Sequence, residues 1–198
     1  MIIIGLTGPS GSGKGWVSKL LCKYGIPSID TDEVYHELLV PPSPCLGDLV
    51  NAFGKDILTD GKLNRSVLAS IVFTDPQKLK LLNEITHKYI LGETNLRLQK
   101  YQNNGYQAAI VDAPALFESG YDKKCDFVIA VTAPRELRLK RILKRDSITP
   151  NEASRRIDAQ PNDEFYVSQS KYAVCNNDND VELAQSLRAI LLQEGIRL

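Results

Sequence analysis

Short apolar runs alternate with longer amphipathic stretches along this chain, a pattern that predicts strands joined by helices. The runs at 2–6, 108–112 and 126–132 are almost continuously apolar, as expected of strands covered on both faces of a parallel sheet. Shorter strands are predicted at 25–30 and 171–175. The pattern indicates an α/β protein with a five-stranded parallel sheet.

A long helical stretch separates the second predicted strand from the third. Prolines cluster at 41–44, and from there to about residue 104 the apolar positions recur with helical spacing. Asn64 and Asp75-Pro76 are expected to begin helices within it. The sequence therefore predicts one domain with an insertion. The predicted parts are a core of 1–32, 105–134 and 170–198, a helical insertion of 33–104 and a lid of 135–169.

A glycine-rich loop links the first strand to the first predicted helix. Residues 8–14 fit the pattern G-x-x-x-x-G-K. Glycines bring backbone N–H groups close to phosphate oxygens, the helix start adds its positive dipole end, and Lys14 can reach the outer phosphates. The loop therefore predicts a site for nucleotide phosphates, which the preceding strand and following helix favour over a purely structural turn.

Acidic residues follow two of the predicted strands. Asp30 and Asp32 end the second strand, and Asp112 ends the third. Ligands of open α/β sheets bind at this edge, so we expect Asp32 to share a crevice with the phosphate loop and accept a proton from an attacking hydroxyl. Asp112 is a candidate Mg²⁺ carboxylate, directly or through water. The alternative is that Asp32 or Thr31, and likewise Asp112, only cap a helix or turn.

A basic helix is predicted from Arg135 to Arg145. Arg141 and Arg145 lie four residues apart, hence on one face, ahead of a capping box at 149–152. Two helices joined this way suggest a lid whose arginines stabilise charge on a transferring phosphoryl group. The remaining basic side chains are expected to form a solvated face. They are Arg135, Arg138, Lys140 and Lys144.

The amino-acid composition limits the classes of partner that are expected. Lys plus Arg and Asp plus Glu each total 24, so no overall positive field favours nucleic acid. No apolar run reaches the length of a membrane span, and the N-terminal segment lacks the features of a signal peptide, so a cytoplasmic protein is expected. The 4 cysteines are widely spaced, which favours free thiols. Arg65, His87 and Lys88 are weaker candidates for contacts with an anionic or polar substrate.

Taken together, these motifs resemble the dephospho-CoA kinase family. The resemblance implies a three-layer P-loop kinase fold, ATP with Mg²⁺, and dephospho-CoA as the acceptor in a monomer or weak homo-oligomer. Asp32 would be the general base near the 3′-hydroxyl, and Arg141 or Arg145 would be a lid arginine. The residues that would contact the substrate are Asp32, Arg65 and His87. The loop residues implied in ATP binding are Gly11, Ser12, Gly13, Lys14, Gly15 and Trp16. The matching segments are Gly5-Leu-Thr-Gly8, Gly11-Ser-Gly-Lys14, Ile29-Asp-Thr-Asp32, Phe53-Gly54, Leu63-Asn-Arg65, Val72-Phe73, His87, Pro114 with Leu116-Phe-Glu118, Arg141 to Asp146, and Tyr172 with Asn176.

The chain departs from the family pattern at three places. Gly15-Trp16 stands where the family usually has hydroxyl residues. Lys88 stands in place of a proline, and Ala115 stands in place of a leucine. The hydroxyl that usually holds Mg²⁺ is therefore absent, and water is expected to replace it. Two alternatives remain open: a related kinase of another small alcohol or nucleotide, and a non-catalytic protein that binds nucleotide or CoA. A regulatory GTPase is less favoured, since no Asn-Lys-x-Asp motif occurs.

Overall fold

Five strands form one sheet in the computed structural model, which describes residues 1–197. Their order is β2-β5-β1-β6-β7, and a separate two-stranded sheet joins β3 to β4. Along the described chain the strands are β1 (Ile2–Thr7), β2 (Ser28–Asp30), β3 (Leu58–Thr59), β4 (Lys62–Leu63), β5 (Ala108–Asp112), β6 (Phe127–Thr132) and β7 (Tyr172–Cys175).

Helices fill the intervals between the strands. In the described residues they are α1 (Lys14–Lys23), α2 (Thr31–Glu37), α3 (Pro44–Phe53), α4 (Arg65–Val72), α5 (Pro76–Asn103), α6 (Arg135–Asp146), α7 (Pro150–Asp158), α8 (Asp163–Gln169) and α9 (Asp180–Gln193). None of the helices within 1–197 has the length and apolar composition needed to cross a membrane. All four cysteines carry free thiols.

The chain divides into two compact units. One consists of Met1–Ile29 together with the described chain from Lys100 onward, and the other is Asp30–Gln99. The insertion predicted at 33–104 and the lid predicted at 135–169 stay predictions; the helices of the latter belong to the first unit.

The sheet of the first unit owes its stability to strands that are buried on both faces. Ile4 and Leu6 of β1 and Ile129 of β6 are all 0% exposed. They pack in one cluster with Leu21 of α1 and Leu187 of α9. Burying large aliphatic side chains stabilises by about 1.5–3 kcal/mol each, which explains why these runs form the centre of the fold.

The register of the central strands brings an acid to the start of the phosphate loop. β1 pairs with β5 in parallel, with Leu6 opposite Asp112. The Ala113 N–H then donates to the Leu6 carbonyl over 3.0 Å, and the Thr7 hydroxyl donates to the Pro114 carbonyl over 3.2 Å. The carboxyl ends of β1 and β5 therefore lie side by side.

The second unit has its own apolar core, formed by α2, α3, α4 and part of α5. Its buried members are Leu39, Cys45, Leu49, Ile57, Leu68 and Val72. The Asn64 side chain caps α4 as predicted, accepting from the Val67 N–H. The prediction of helix throughout this stretch is wrong at β3 and β4, which form an antiparallel hairpin. Asp60 and Gly61, with φ of 50° and 74°, provide the tight turn, a signal that the Asp-Gly pair already carried.

Candidate active site

The phosphate loop ends in a left-handed residue that only glycine tolerates here. Gly13 has a φ of 90°, and a Cβ built on it would lie 2.2 Å from Nδ2 of Asn176. Its carbonyl accepts from the N–H groups of Trp16 and Val17 at 2.9 and 3.1 Å, so helix α1 begins directly at Lys14. The lysine therefore lies in the first turn, at the positive end of the helix dipole.

Arginines of α6 hold the carbonyl side of the loop. Nε of Arg138 donates to the Ser10 carbonyl over 3.0 Å. Nη1 of Arg141 donates to the carbonyls of Gly11 and Ser12 over 3.2 and 3.1 Å. Three consecutive loop carbonyls thus face guanidinium groups, and charge-assisted hydrogen bonds of this kind are stronger than neutral ones.

Arg138 contradicts the prediction of a solvated face. The residue is only 5% exposed, and its Nη1 also donates to the Asp163 carboxylate over 3.3 Å. Burial lowers the pKa of the Arg138 guanidinium, while the neighbouring Asp163 raises it. Its position three residues before Arg141 places both on one helix face, but Arg135 has the same spacing to Arg138 and is exposed, so spacing alone does not identify the buried arginine. Arg135 is exposed as expected and pairs with Asp158 over 2.7 Å.

The two predicted lid arginines have different surroundings. Arg141 extends past the loop to Asn176, donating to its carbonyl and to its side-chain oxygen over 3.0 Å each, and it pairs with Asp178. The Arg145 side chain is 60% exposed and donates to Asp146 over 2.6 and 2.9 Å. The pKa of the Asp146 carboxyl is lowered mainly by its hydrogen bond with Arg145, and Arg156 lowers it further.

Space is open at the position where the usual hydroxyl is missing. A Cβ built on Gly15 would meet nothing within 4 Å, so packing does not exclude a serine there. The Trp16 side chain beside it does not fill the gap. It is 41% exposed, and its Nε1 donates to the Asp180 carboxylate at the start of α9 over 2.7 Å.

Asp112 is the acid of the first unit whose chemistry would suit a hydrated Mg²⁺ ion. Asp112 ends β5 and is 6% exposed. In residues 1–197 no group of three or more His, Cys, Asp or Glu side chains comes together as a metal site. Mg²⁺ commonly keeps several waters and takes its other ligands from one or two carboxylates and the substrate phosphates. This donor set is compatible with such an ion.

In the second unit, Asp30 rather than Asp32 or Thr31 caps a helix. Its carboxylate accepts from the N–H groups of Asp32 and Glu33 over 2.8 and 3.2 Å. The alternative interpretation of Asp32 as the cap is therefore wrong, and Asp32 is an exposed residue in the first turn of α2. The prediction that Asp32 shares a crevice with the phosphate loop stays a prediction.

The other predicted substrate residues lie on α4 and α5. Arg65 is exposed at the start of α4, and its guanidinium contacts Nδ1 of His36. His87 is half-buried in α5. Sequence reasoning missed His36, although it follows Asp32 by one helical turn and so shares its face of α2.

Comparison with known proteins identifies the family. Residues 2–182 match the family model of dephospho-CoA kinase. A dephospho-CoA kinase of Corynebacterium glutamicum is 36% identical over 194 residues, which cover 98% of this chain and 100% of the relative. The chain belongs to the dephospho-CoA kinase family.

Solved structures agree with this assignment. The dephospho-CoA kinase of Campylobacter jejuni aligns with a TM-score of 0.69 and 26% identity over 96% of each chain. The protein TT1252 of Thermus thermophilus aligns with a TM-score of 0.84 and 28% identity, over 98% of this chain and 97% of that one. The predicted family and the predicted P-loop kinase fold are both confirmed, and the protein is a kinase.

Proposed function

We propose that this dephospho-CoA kinase family member transfers the γ-phosphoryl group of ATP to the ribose 3′-hydroxyl of dephospho-CoA. The products are CoA and ADP, so the reaction is the last step of CoA synthesis. The observation that carries the proposal is the family match over residues 2–182, together with a glycine-rich loop leading into Lys14 at the start of α1. A cytoplasmic location and a monomeric or weakly associated state remain predictions.

The nucleotide is assigned to the phosphate loop. Amides of Gly11, Gly13 and Gly15 and the Lys14 ammonium bind the ATP phosphates, with Ser12 and Trp16 alongside. The Ser12 N–H already donates to the Pro9 carbonyl over 3.1 Å. In the transfer, the acceptor oxygen bonds to the γ-phosphorus and the bond from that phosphorus to the β,γ-bridging oxygen breaks. Negative charge spreads over the transferring group, and a lid arginine stabilises it. Arg145 suits this role better than Arg141, whose guanidinium already holds loop carbonyls.

The acceptor is assigned to residues of the second unit. Asp32 accepts the proton of the 3′-hydroxyl, and its exposed position on α2 keeps it accessible to a polar substrate. Arg65 and His87 bind the acceptor, with Arg65 matched to its phosphate groups because a guanidinium binds phosphate through paired hydrogen bonds. His36 orients Arg65 through their direct contact.

Asp112 is the residue assigned to Mg²⁺, held through water. When bound, the ion neutralises charge on the β- and γ-phosphates. Because Gly15 offers no hydroxyl, water and phosphate oxygens would supply more of the ligands of the ion. The affinity for Mg²⁺ should therefore be weaker than with Ser or Thr at this position.

Because of Gly15, the alternative to exclude by experiment is a protein that binds nucleotide or CoA without turnover. The test is ADP release by the purified protein with ATP and Mg²⁺, with and without dephospho-CoA, and the mass of the product. Acceptor-dependent ADP together with a product of the mass of CoA supports the kinase. Nucleotide binding without acceptor-dependent ADP, even at high Mg²⁺, contradicts it and favours the binding protein or another acceptor.

A further inference from the structure

Ser10, within the phosphate loop, is held on both of its backbone groups. Its N–H donates to Oε1 of Gln160 over 2.8 Å, and its carbonyl accepts from Nε of Arg138 over 3.0 Å. Arg138 belongs to α6, and Gln160 lies in the connection between α7 and α8. One loop residue therefore depends on two side chains that are far from it in sequence.

Fixing these carbonyls also fixes the direction of the loop amides. A peptide group is planar and trans, so the C=O of one residue points away from the N–H of the next. The carbonyls of Ser10 and Ser12 face the guanidiniums of Arg138 and Arg141. The N–H groups of Gly11 and Gly13 are therefore directed away from α6, while the Ser12 N–H between them donates to the Pro9 carbonyl over 3.1 Å.

The environment of Arg138 shows that the guanidinium is not there for packing alone. It is 5% exposed, and its Nη2 is buried without a hydrogen-bond partner in the described structure. Burying a charged donor that is incompletely paired is unfavourable, and an apolar side chain of similar size would avoid that penalty. An apolar residue could supply neither the bond to the Ser10 carbonyl nor the pair with Asp163, and only the first of these contacts reaches the phosphate loop.

We propose that Arg138 and Gln160 are positioning residues of the phosphate loop: they hold Ser10 so that the loop amides are directed at the nucleotide phosphates before the nucleotide binds. Neither residue needs to touch the nucleotide. The benefit is preorganisation, because a loop already in its binding conformation loses less entropy on binding. That the anion is a nucleotide rests on the proposed function.

The test uses substitutions that keep side-chain size but remove the polar contact. Gln160→Met removes the acceptor for the Ser10 N–H, and Gln169→Met is its matched control, since Gln169 only donates to Phe165 within α8. Arg138→Met removes the donor to the Ser10 carbonyl, and Arg135→Met on the exposed side of α6 is the control. ADP affinity is measured by calorimetry, and the KM values for ATP and dephospho-CoA are measured separately.

We expect Gln160→Met to weaken ADP binding about tenfold, on the scale of one lost hydrogen bond with an unsatisfied partner. The KM for ATP should rise by a similar factor while the KM for dephospho-CoA stays within about twofold, as in both controls. A purely structural role would lower the melting temperature and leave the ADP affinity of the folded protein unchanged. An ADP affinity within twofold of the parent in Gln160→Met overturns the proposal, even where Arg138→Met does not fold. If the parent binds ADP but forms no CoA, the proposed function fails while the calorimetric test of the loop still stands.

Discussion

The phosphate loop and the residues of the second unit that are proposed to bind the acceptor show opposite designs. Loop carbonyls are held by Arg138 and Arg141, and a loop N–H by Gln160. In contrast, Asp32 and Arg65 are exposed on the surfaces of their helices. On the proposed assignment, the nucleotide side is held in place before its ligand arrives, whereas the acceptor side consists of solvated side chains on a helical core. Substitutions that distort the loop should therefore change affinity and stability together, while those at the exposed residues should change turnover or acceptor affinity and leave stability unchanged.

The largest effect is expected at the exposed acid. Asp32→Asn should reduce turnover by about 10²-fold or more, because an amide cannot take the hydroxyl proton, while ATP affinity stays unchanged. The measurement is kcat with saturating ATP and dephospho-CoA. Glu33→Gln is the control, since Glu33 is exposed in the same first turn of α2 and should retain turnover within about twofold. Near-normal turnover of Asp32→Asn would remove Asp32 from the mechanism.

A methyl group added to the loop should lower nucleotide affinity and stability, in contrast to the loss of turnover expected at Asp32. Gly13→Ala places a Cβ 2.2 Å from Nδ2 of Asn176 at a φ of 90°. We expect a loss of about 1–3 kcal/mol in the free energy of unfolding and at least about tenfold weaker ADP binding. Chemical denaturation measures the free energy of unfolding, and calorimetry measures the ADP affinity. Gly15→Ala, where a Cβ meets nothing within 4 Å, is the matched control; equal effects of the two variants would show that the loop is not rigid.

A smaller effect is expected when the missing hydroxyl is restored. Gly15→Ser should lower the Mg²⁺ concentration for half-maximal activity several-fold, on the order of threefold to tenfold, since the serine fits the open space and adds an oxygen ligand. Titration of initial rates with Mg²⁺ at fixed ATP measures it, with Gly15→Ala as the control. An unchanged Mg²⁺ requirement would mean that water already replaces the hydroxyl without loss.

The smallest effect concerns the helices that hold the loop. A hydrogen bond from Arg145 lowers the pKa of Asp146, and one from Arg135 lowers the pKa of Asp158, both below the ordinary 3.8 of Asp. A hydrogen bond from Thr149 lowers the pKa of Glu152 below the ordinary 4.5 of Glu. A carboxyl with a lowered pKa stabilises the fold at every pH above its ordinary pKa. That contribution is lost as the pH falls through the lowered pKa. The protection of α6 and α7 amides, expressed as the exchange rate relative to the intrinsic rate at each pH, should therefore fall modestly below about pH 4, while that of β1 and β6 stays high. An equal loss of protection in all four elements would contradict this.

The parts of the fold that the sequence predicted are those whose signals are local. Continuous apolar runs marked β1, β5 and β6, and the capping box of Thr149 and Glu152 forms at α7 as expected. The hairpin of β3 and β4 was missed although its Asp-Gly turn is also local.

The candidate site was only partly predictable because some of its contacts join distant segments. The pattern G-x-x-x-x-G-K located the loop, yet nothing near Ser10 in sequence identifies Arg138 or Gln160 as its partners. Arg138 looks like one cation of a charged helix until the fold buries it. Asp30 and Asp32 are both suitable caps by composition, and only the end of β2 decides which carboxylate faces the first amides of α2.

Trp16 gives this enzyme its own optical probe. It is the only tryptophan among the 198 residues and lies two positions after Lys14. Its indole is partly exposed and tied to Asp180, so emission excited at the red edge of the absorption band comes from one defined place beside the phosphate loop. A change of intensity on adding nucleotide therefore reports events at the loop without any label, and stopped-flow fluorescence can time nucleotide arrival separately from phosphoryl transfer.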